Sequence, residues 1–529
     1  MSTTLQFKER HDLTTLPKFE SRQLASVRTL HISECDALTE LPESLGQLAV
    51  LTALDIRWCD TLTGLPETLG QLAVLTTLTL SRCHAVIGLP ESLGQLATLT
   101  TLNLSLCQHL TRVPESLGQL TALVLLDLSW CRALTGLPES LGQLAALTTL
   151  NLSLCLTLTH VPESLGHLTA LKTLDLSVCR ALTGLPESLG QLAALTSLNL
   201  SRCVVLTRLP ESLGRLTALT TLNLIACVAL TGLPESLGQM AALTMLHLSE
   251  CYALTKLSDS LGQMMALKIL NLSNCEGLTR LPESLGQLAA LTTLDLRYCC
   301  ALTGLSELLG QLTALETLHL SQFAVLSKLP KTLTTLNLSH CYSLTELLEL
   351  PGSLGQLAVL TTLDLSYCYA LTRLPESLGQ LAALATLDLS FCNALTELPG
   401  SLGQLVALTT LCLTECCKLT RLPESLGQLA ALTTLILNRC YLLTRLHESL
   451  GALTHLDDLQ VDHCHALQFP PAFIAQQGAP AVMEFLLARH HSLKILLLIL
   501  AARRRRMRHP PPELWGLLYD EFIYFLVDF

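Results

Sequence analysis

Aromatic side chains make up only 4% of this 529-residue chain, although half of its residues are apolar. A core of that size must therefore be built from aliphatic side chains, and leucine at fixed positions supplies them. Long apolar runs are also missing. The longest, Ile495 to Ala502, falls far short of the ~20 residues that cross a bilayer, so no membrane span is expected. Met1 to Arg10 lacks the apolar stretch of a secretory leader, so a cytoplasmic location is expected. No G-x-x-x-x-G-K-(S/T) phosphate loop and no kinase signature occurs. Basic charge is scarce, with 32 Lys and Arg against 43 Asp and Glu and a net charge of -11. That balance argues against nucleic-acid binding, which needs a basic face against the phosphates. The histidines are scattered, and neither His490-His491 nor His463-Cys464-His465 has the spaced partners of a zinc or nucleophile site. These absences point to a non-enzyme with no cofactor, no metal and no small-molecule substrate.

What is present is a repeat. Cysteine recurs every 24 residues from Cys35 to Cys299 within the phrase L-x-L-S-x-C-x-x-L-T-x-L-P-E-S-L-G-Q-L. The series continues with Phe323 in the cysteine slot, then Cys341, Cys368, Cys392, Cys416, Cys440 and Cys464, giving nineteen rungs. One rung, Leu99 to Ala122, places apolar residues at Leu99, Leu102, Leu104, Cys107, Leu110, Val113, Leu117 and Leu120. No single rung can close a core, so each must lean on its neighbours. Alternation predicts a short strand over Thr101 to Ser105, with Leu102 and Leu104 inward and Thr101, Asn103 and Ser105 outward. Pro114 and Gly118 predict a short helical or 3-10 turn over Pro114 to Leu120. At ~4.8 Å per step, the strands would line a face on the order of 85 Å long, a size that suits a macromolecular partner.

Period and pattern resemble those of leucine-rich repeat proteins, whose strand signature L-x-x-L-x-L-x-x-(N/C) fits Leu99, Leu102, Leu104 and Cys107. The resemblance covers about residues 13 to 470. The L-P-E-S-L-G-Q-L half is similar to intracellular Ras-group repeats, and L-x-L-S-x-C-x-x-L-T-x-L-P to the repeat regions of plant disease-resistance proteins. The resemblance implies an α/β solenoid, a horseshoe with a parallel β-sheet on its concave face and short helical or 3-10 turns on its convex face, plus a small α-helical C-terminal tail. It also implies intracellular recognition of a protein partner, in signalling or defence. The nucleotide-binding switch of such resistance proteins has no counterpart here, so a role of that kind would need a partner.

The expected organisation is an N-terminal cap and degenerate first repeat over residues 1–28, the solenoid over 29–470, and a helical tail over 471–529. Phe323 to Cys341 is 18 residues and Cys341 to Cys368 is 27, which marks a break in the period. In the tail, Ala481 to Ala502 reads as an apolar helix. Arg503 to Arg508 then forms a basic cluster that complements the helix end or serves a membrane surface or nuclear import. Pro511 to Phe522 resembles the opening of an F-box, which implies that Pro512, Leu514, Leu518 and Phe522 would face a cullin-ligase adaptor. The alternative is that they pack the tail onto the cap.

Each recurrent polar position has a structural and a functional reading. Glu43, Glu67, Glu91, Glu115, Glu139, Glu163, Glu187, Glu211, Glu235 and Glu283 form a ladder that either complements the starts of the turns or makes an acidic docking stripe. The ladder thiols, one per rung, are too linear for a tetrahedral metal site. They are read as small turn fillers whose S–H donates to a backbone carbonyl. Cys300, Cys412 and Cys417 fall off the ladder and are the candidates for oxidation. The residue before each cysteine varies most, and Trp58, Trp130, Tyr298, Tyr367 and Phe391 there are candidate anchors for a protein partner. One outward strand position alternates between Asn and Asp. Its Asp127, Asp175, Asp295, Asp364 and Asp388 either attract a basic partner or solvate the sheet.

Overall fold

A computed structural model describes residues 3–17, 19, 26–321, 328–345, 354–471, 474, 477 and 479–504. They divide into two packed units, 1–312 and 313–529. The first holds thirteen of the described strands, from Thr3–Lys8 to Thr293–Leu296, and the second holds seven, from Thr317–Leu320 to Asp458–Gln460. Within each unit every described pairing of neighbouring strands is parallel, and across most of these pairs equivalent positions of successive rungs face each other, as Leu102 faces Leu126 and Asn103 faces Asp127. Each unit is thus a stack of rungs, the α/β solenoid that the repeat implies.

In the rung that begins at Leu99, Leu102, Leu104, Cys107, Leu110, Leu117 and Leu120 are fully buried and Val113 is 5% exposed. Each buried leucine contributes roughly 1.5–3 kcal/mol, and it does so only because the next rung covers it. The strand spans Thr101–Asn103, shorter than alternation alone predicts. It ends there because the Ser105 N–H turns to the Asn103 Oδ1 at 2.8 Å instead of to a neighbouring strand. Threonine just before the strand also links rungs, since Thr100 Oγ1 donates to Thr76 O at 3.0 Å and Thr76 Oγ1 to Thr52 O at 3.0 Å.

The return segment is a 3-10 turn, Glu115–Gln119, preceded by Pro114 in an extended conformation. Proline has no side-chain acceptor for the free N–H groups of that turn. The preceding rung supplies one, because the Ser116 N–H donates to Glu91 Oε2 at 3.3 Å, and the same link joins Ser92 to Glu67 and Ser212 to Glu187. Two rungs support this reading. Where Ser258 and His447 replace the proline, their own side chains accept from Ser260 N and Ser449 N. From Glu67 to Glu211 the glutamate ladder is therefore a set of caps passed from rung to rung. Gly118 belongs to the same contact, since a Cβ there would lie 2.4 Å from Ser140 O and 2.7 Å from Ser140 Cβ.

The solenoid of the second unit ends under a helix, Ala479–Arg504. Val482 and Leu486 are fully buried, and a Cβ on Gly451 would meet Leu486 O at 2.5 Å. The helix thus occupies the place where another rung would stack.

Candidate partner-binding surface

The varied residue before each ladder cysteine has a backbone that its side chain does not favour. Leu104 C=O accepts from Cys107 N–H at 3.3 Å, and Leu106, third in that turn, has φ +64°. Eighteen residues in this position lie between φ +56° and +64°, among them Trp58, Arg82, Trp130, Val178, Tyr298, Tyr367 and Phe391. Turns of this kind favour glycine or asparagine as third residue, and the left-handed region costs other residues roughly 1–2 kcal/mol. Yet asparagine appears once, as Asn274, and glycine never. The turn is held open from both sides, because Leu106 N–H donates to Ser129 O of the next rung at 2.8 Å.

Parallel stacking brings successive side chains of this column together. In the first unit the Arg82 guanidinium lies 3.7 Å from the Trp58 ring centre of the preceding rung, while Trp130 is covered from within its own rung by Arg132, the residue after the cysteine, at 5.0 Å. Trp58 is 47% exposed. In the second unit His340 stacks on Tyr367 at 4.5 Å, Tyr367 stacks on Phe391 at 4.3 Å, and Arg439 pairs with Glu415 at 2.6 Å. Tyr298 has the same backbone as the others, at φ +58°.

The Asn/Asp row has a backbone task. Asp127 Oδ1 accepts from Ser129 N at 2.9 Å, Asp175 from Ser177 at 2.8 Å, Asp364 from Ser366 at 2.9 Å and Asp388 from Ser390 at 2.8 Å. Asn151 and Asn199 do the same for Ser153 and Ser201. Only an Oδ1 acceptor is needed, which is why Asn and Asp interchange along the row. Asp295 is further committed, gripped by Arg297 through Nη2 at 2.7 Å and Nε at 3.1 Å. Asp364 also accepts from Asn337 Nδ2 at 2.7 Å.

The thiol ladder is buried and bonded. Cys131 Sγ donates to Leu104 O at 3.2 Å and Cys155 Sγ to Leu128 O at 3.2 Å, each a carbonyl of the preceding rung. Burial pushes the thiols of Cys107, Cys179 and Cys392 up to about 12, so they remain protonated and unreactive. Cys300 is exposed, whereas Cys412 and Cys417 are half-buried. Among the described residues no group of three or more His, Cys, Asp or Glu side chains is arranged to hold a metal ion. No described helix is long and apolar enough to cross a membrane.

A second column escaped the sequence reading. The residue after each cysteine faces outward as well, and Tyr252, Tyr342, Tyr369 and Tyr441 there are 41–45% exposed. Tyr342 stacks on Tyr369 at 5.5 Å, and Tyr367 meets Tyr369 edge-on at 6.2 Å. The signal was available, as tyrosine directly follows the ladder cysteine in four rungs of a chain with eight tyrosines in all. Phe323, the insertion around Glu349 to Pro351, most of the Arg503 to Arg508 cluster, and Pro512, Leu514, Leu518 and Phe522 lie outside the described residues.

The profile of the leucine-rich repeat region matches residues 5–133 and 333–479, more than half of the chain, and the chain belongs to the leucine-rich repeat proteins. A second profile, described as disease resistance protein RPS4B-like leucine-rich repeats, matches residues 143–349. No curated protein matches. Among solved structures, a leucine-rich repeat protein of Leptospira interrogans is 26% identical, with 81% of this chain and 94% of that chain covered and a TM-score of 0.44. The leucine-rich repeat domain of the type III effector XopL is 28% identical over 46% of this chain and 75% of its own, with a TM-score of 0.34. The Arabidopsis receptor kinase HAESA, solved with the peptide hormone IDA and the co-receptor SERK1, is 20% identical over 80% of each chain, with a TM-score of 0.37.

Proposed function

We propose that this chain is a non-catalytic, intracellular recognition scaffold that binds a protein partner through the strand face and the turn column bordering it. One observation carries the proposal. At eighteen turns where glycine would relieve the backbone, the chain never uses it, and eleven of the eighteen hold tryptophan, arginine, tyrosine, phenylalanine, leucine or valine. Side chains kept against a local conformational cost are expected where they serve a purpose outside the fold. Aromatic and arginine side chains are also those most often central to protein interfaces. The partner presents a basic surface, drawn by the free carboxylate oxygens of Asp127, Asp175 and Asp388 and by the acidic balance of the chain. The match to the disease-resistance profile over residues 143–349 favours a role in defence-type signalling.

The test is affinity capture from the native host's lysate, with bound proteins identified by mass spectrometry. The full chain is compared with a chain ending near Pro470 and with a Trp58→Ala, Trp130→Ala, Tyr367→Ala variant. A partner held by the first two and lost from the third is the expected result. A partner retained by the triple variant, once its fold has been verified, would refute the assignment of the turn column.

A further inference from the structure

We propose that the recess between Tyr369 and Tyr441 in the second unit receives an arginine-bearing segment of a protein partner, whose guanidinium planes fill two vacant places in a ladder of rings. In successive rungs the residue after the cysteine is Tyr342, Tyr369, Asn393, Cys417, Tyr441 and His465. Tyr342 and Tyr369 stack with 6° between their planes, and Tyr441 stacks on His465 at 6.0 Å and 15°. Both pairs therefore lie across the direction in which the rungs are stacked. Each tyrosine turns one face to its stacked neighbour and the other toward Asn393 and Cys417, the two short side chains between them. Three steps of ~4.8 Å put Tyr369 and Tyr441 about 14 Å apart. Two planar groups at stacking distance fit in that gap.

The surroundings select the kind of plane. Tyr369 and Tyr441 are 43% and 41% exposed, so their free faces can be reached from solvent. Cys417 Sγ lies 3.7 Å from Asn393 Oδ1 and 3.3 Å from the backbone carbonyl of Glu415, which sets two acceptor oxygens beside the gap. On the neighbouring strand positions Asp364 and Asp388 face each other in register, and the strands from Thr335–Asn337 to Asp458–Gln460 contain no lysine or arginine. Lys418 follows Cys417 in the chain, and Arg439, which precedes Cys440, is held by Glu415 at 2.6 Å. A phosphate-bearing strand would meet this acidic field unfavourably. A guanidinium is planar, stacks on tyrosine, and carries the charge that the field attracts.

This inference rests on the reading of the chain as a recognition scaffold, but uses a different column from the one tested above. A fluorescent alternating arginine–glycine peptide is titrated into the full chain, with the lysine–glycine counterpart and a thymidine oligonucleotide as comparators. The arginine peptide is expected to bind about tenfold more tightly than the lysine peptide, and Tyr369→Ala or Tyr441→Ala is expected to weaken it by a similar factor. Asn393→Tyr with Cys417→Tyr fills both vacant places and should abolish binding while circular dichroism and thermal unfolding stay unchanged. Tyr252→Ala, in the same column of the first unit, should leave binding as it was. Equal affinity for the lysine peptide, or binding unaffected by the filled variant, would overturn the proposal. So would oligonucleotide binding that the filled variant blocks, which would make the gap a nucleobase site. Failure here with partner capture still dependent on Trp58, Trp130 and Tyr367 would leave the scaffold reading intact.

Discussion

The E-S-L-G-Q-L arm and the turn before the cysteine repeat at the same interval, yet one is nearly constant and the other accepts almost any residue except glycine. The difference lies in what each touches. In the arm, Gly118 has no room for a Cβ beside Ser140, and Glu91 caps Ser116 of the next rung. A change there is felt by the adjoining rung. In the turn, the backbone is fixed by Cys107 N–H to Leu104 C=O and Leu106 N–H to Ser129 C=O, bonds that any residue except proline can make. The side chain at that point meets only its neighbours in the same column, through contacts such as Arg82 on Trp58 and Tyr367 on Phe391 that several residue types can make, so repetition is not enforced on it. Constancy in this chain marks contacts between rungs that admit one residue type, and variation marks contacts that admit several.

Five substitutions would break or sharpen this contrast, and Gly118→Ala should have the largest effect. Forcing a methyl group to within 2.4 Å of Ser140 O is expected to destabilise the first unit by roughly 1–3 kcal/mol in urea unfolding. Gly184→Ala is its control, since nothing lies within 4 Å of the added carbon and a gain of about 0.4–1 kcal/mol is expected. Cys131→Ala should cost about 1 kcal/mol or more, through loss of the S–H bond to Leu104 O and the small void left behind. Native-state thiol labelling should correspondingly modify Cys300 first and the ladder cysteines only on unfolding. Val178→Gly, in the turn column, should stabilise by about 1 kcal/mol because it relieves φ +61°.

The smallest effect is electrostatic. The Ser212 N–H donates to Glu187 and holds its carboxyl below the usual carboxylate range. The folded value is lower than the unfolded one, so the associated stability is fully present above the unfolded value and is lost as pH falls through the folded value. Glu187→Gln should leave stability at neutral pH slightly reduced and flatten its dependence in the acid range. Unfolding midpoints measured from neutral to acid pH will detect this. The carboxylate is exposed, and solvent keeps the effect small.

The sequence alone shows the rung, the inward Leu102 and Leu104, the short turn after Pro114 and the thiol-to-carbonyl bond, because period-two alternation, proline, glycine and a buried small polar group are local signals. It does not show that Glu91 caps Ser116, since the two lie 25 residues apart and meet only after stacking. It also conceals the positive φ at Trp58 and Val178, because neither residue type announces that conformation. The tyrosines after the cysteines were visible in the sequence, but their significance depends on the stacking of Tyr342 on Tyr369. The Asn/Asp alternation was legible as a pattern and ambiguous in purpose until Oδ1 was seen to accept from the backbone two residues on.

The most direct test of the account is to replace Trp58, Trp130 and Val178 with glycine together, and to measure both the urea midpoint of the first unit and capture of the partner. If these side chains serve recognition and not folding, the midpoint will stay level or rise while capture is lost. A lowered midpoint, or undiminished capture by the folded variant, would contradict it.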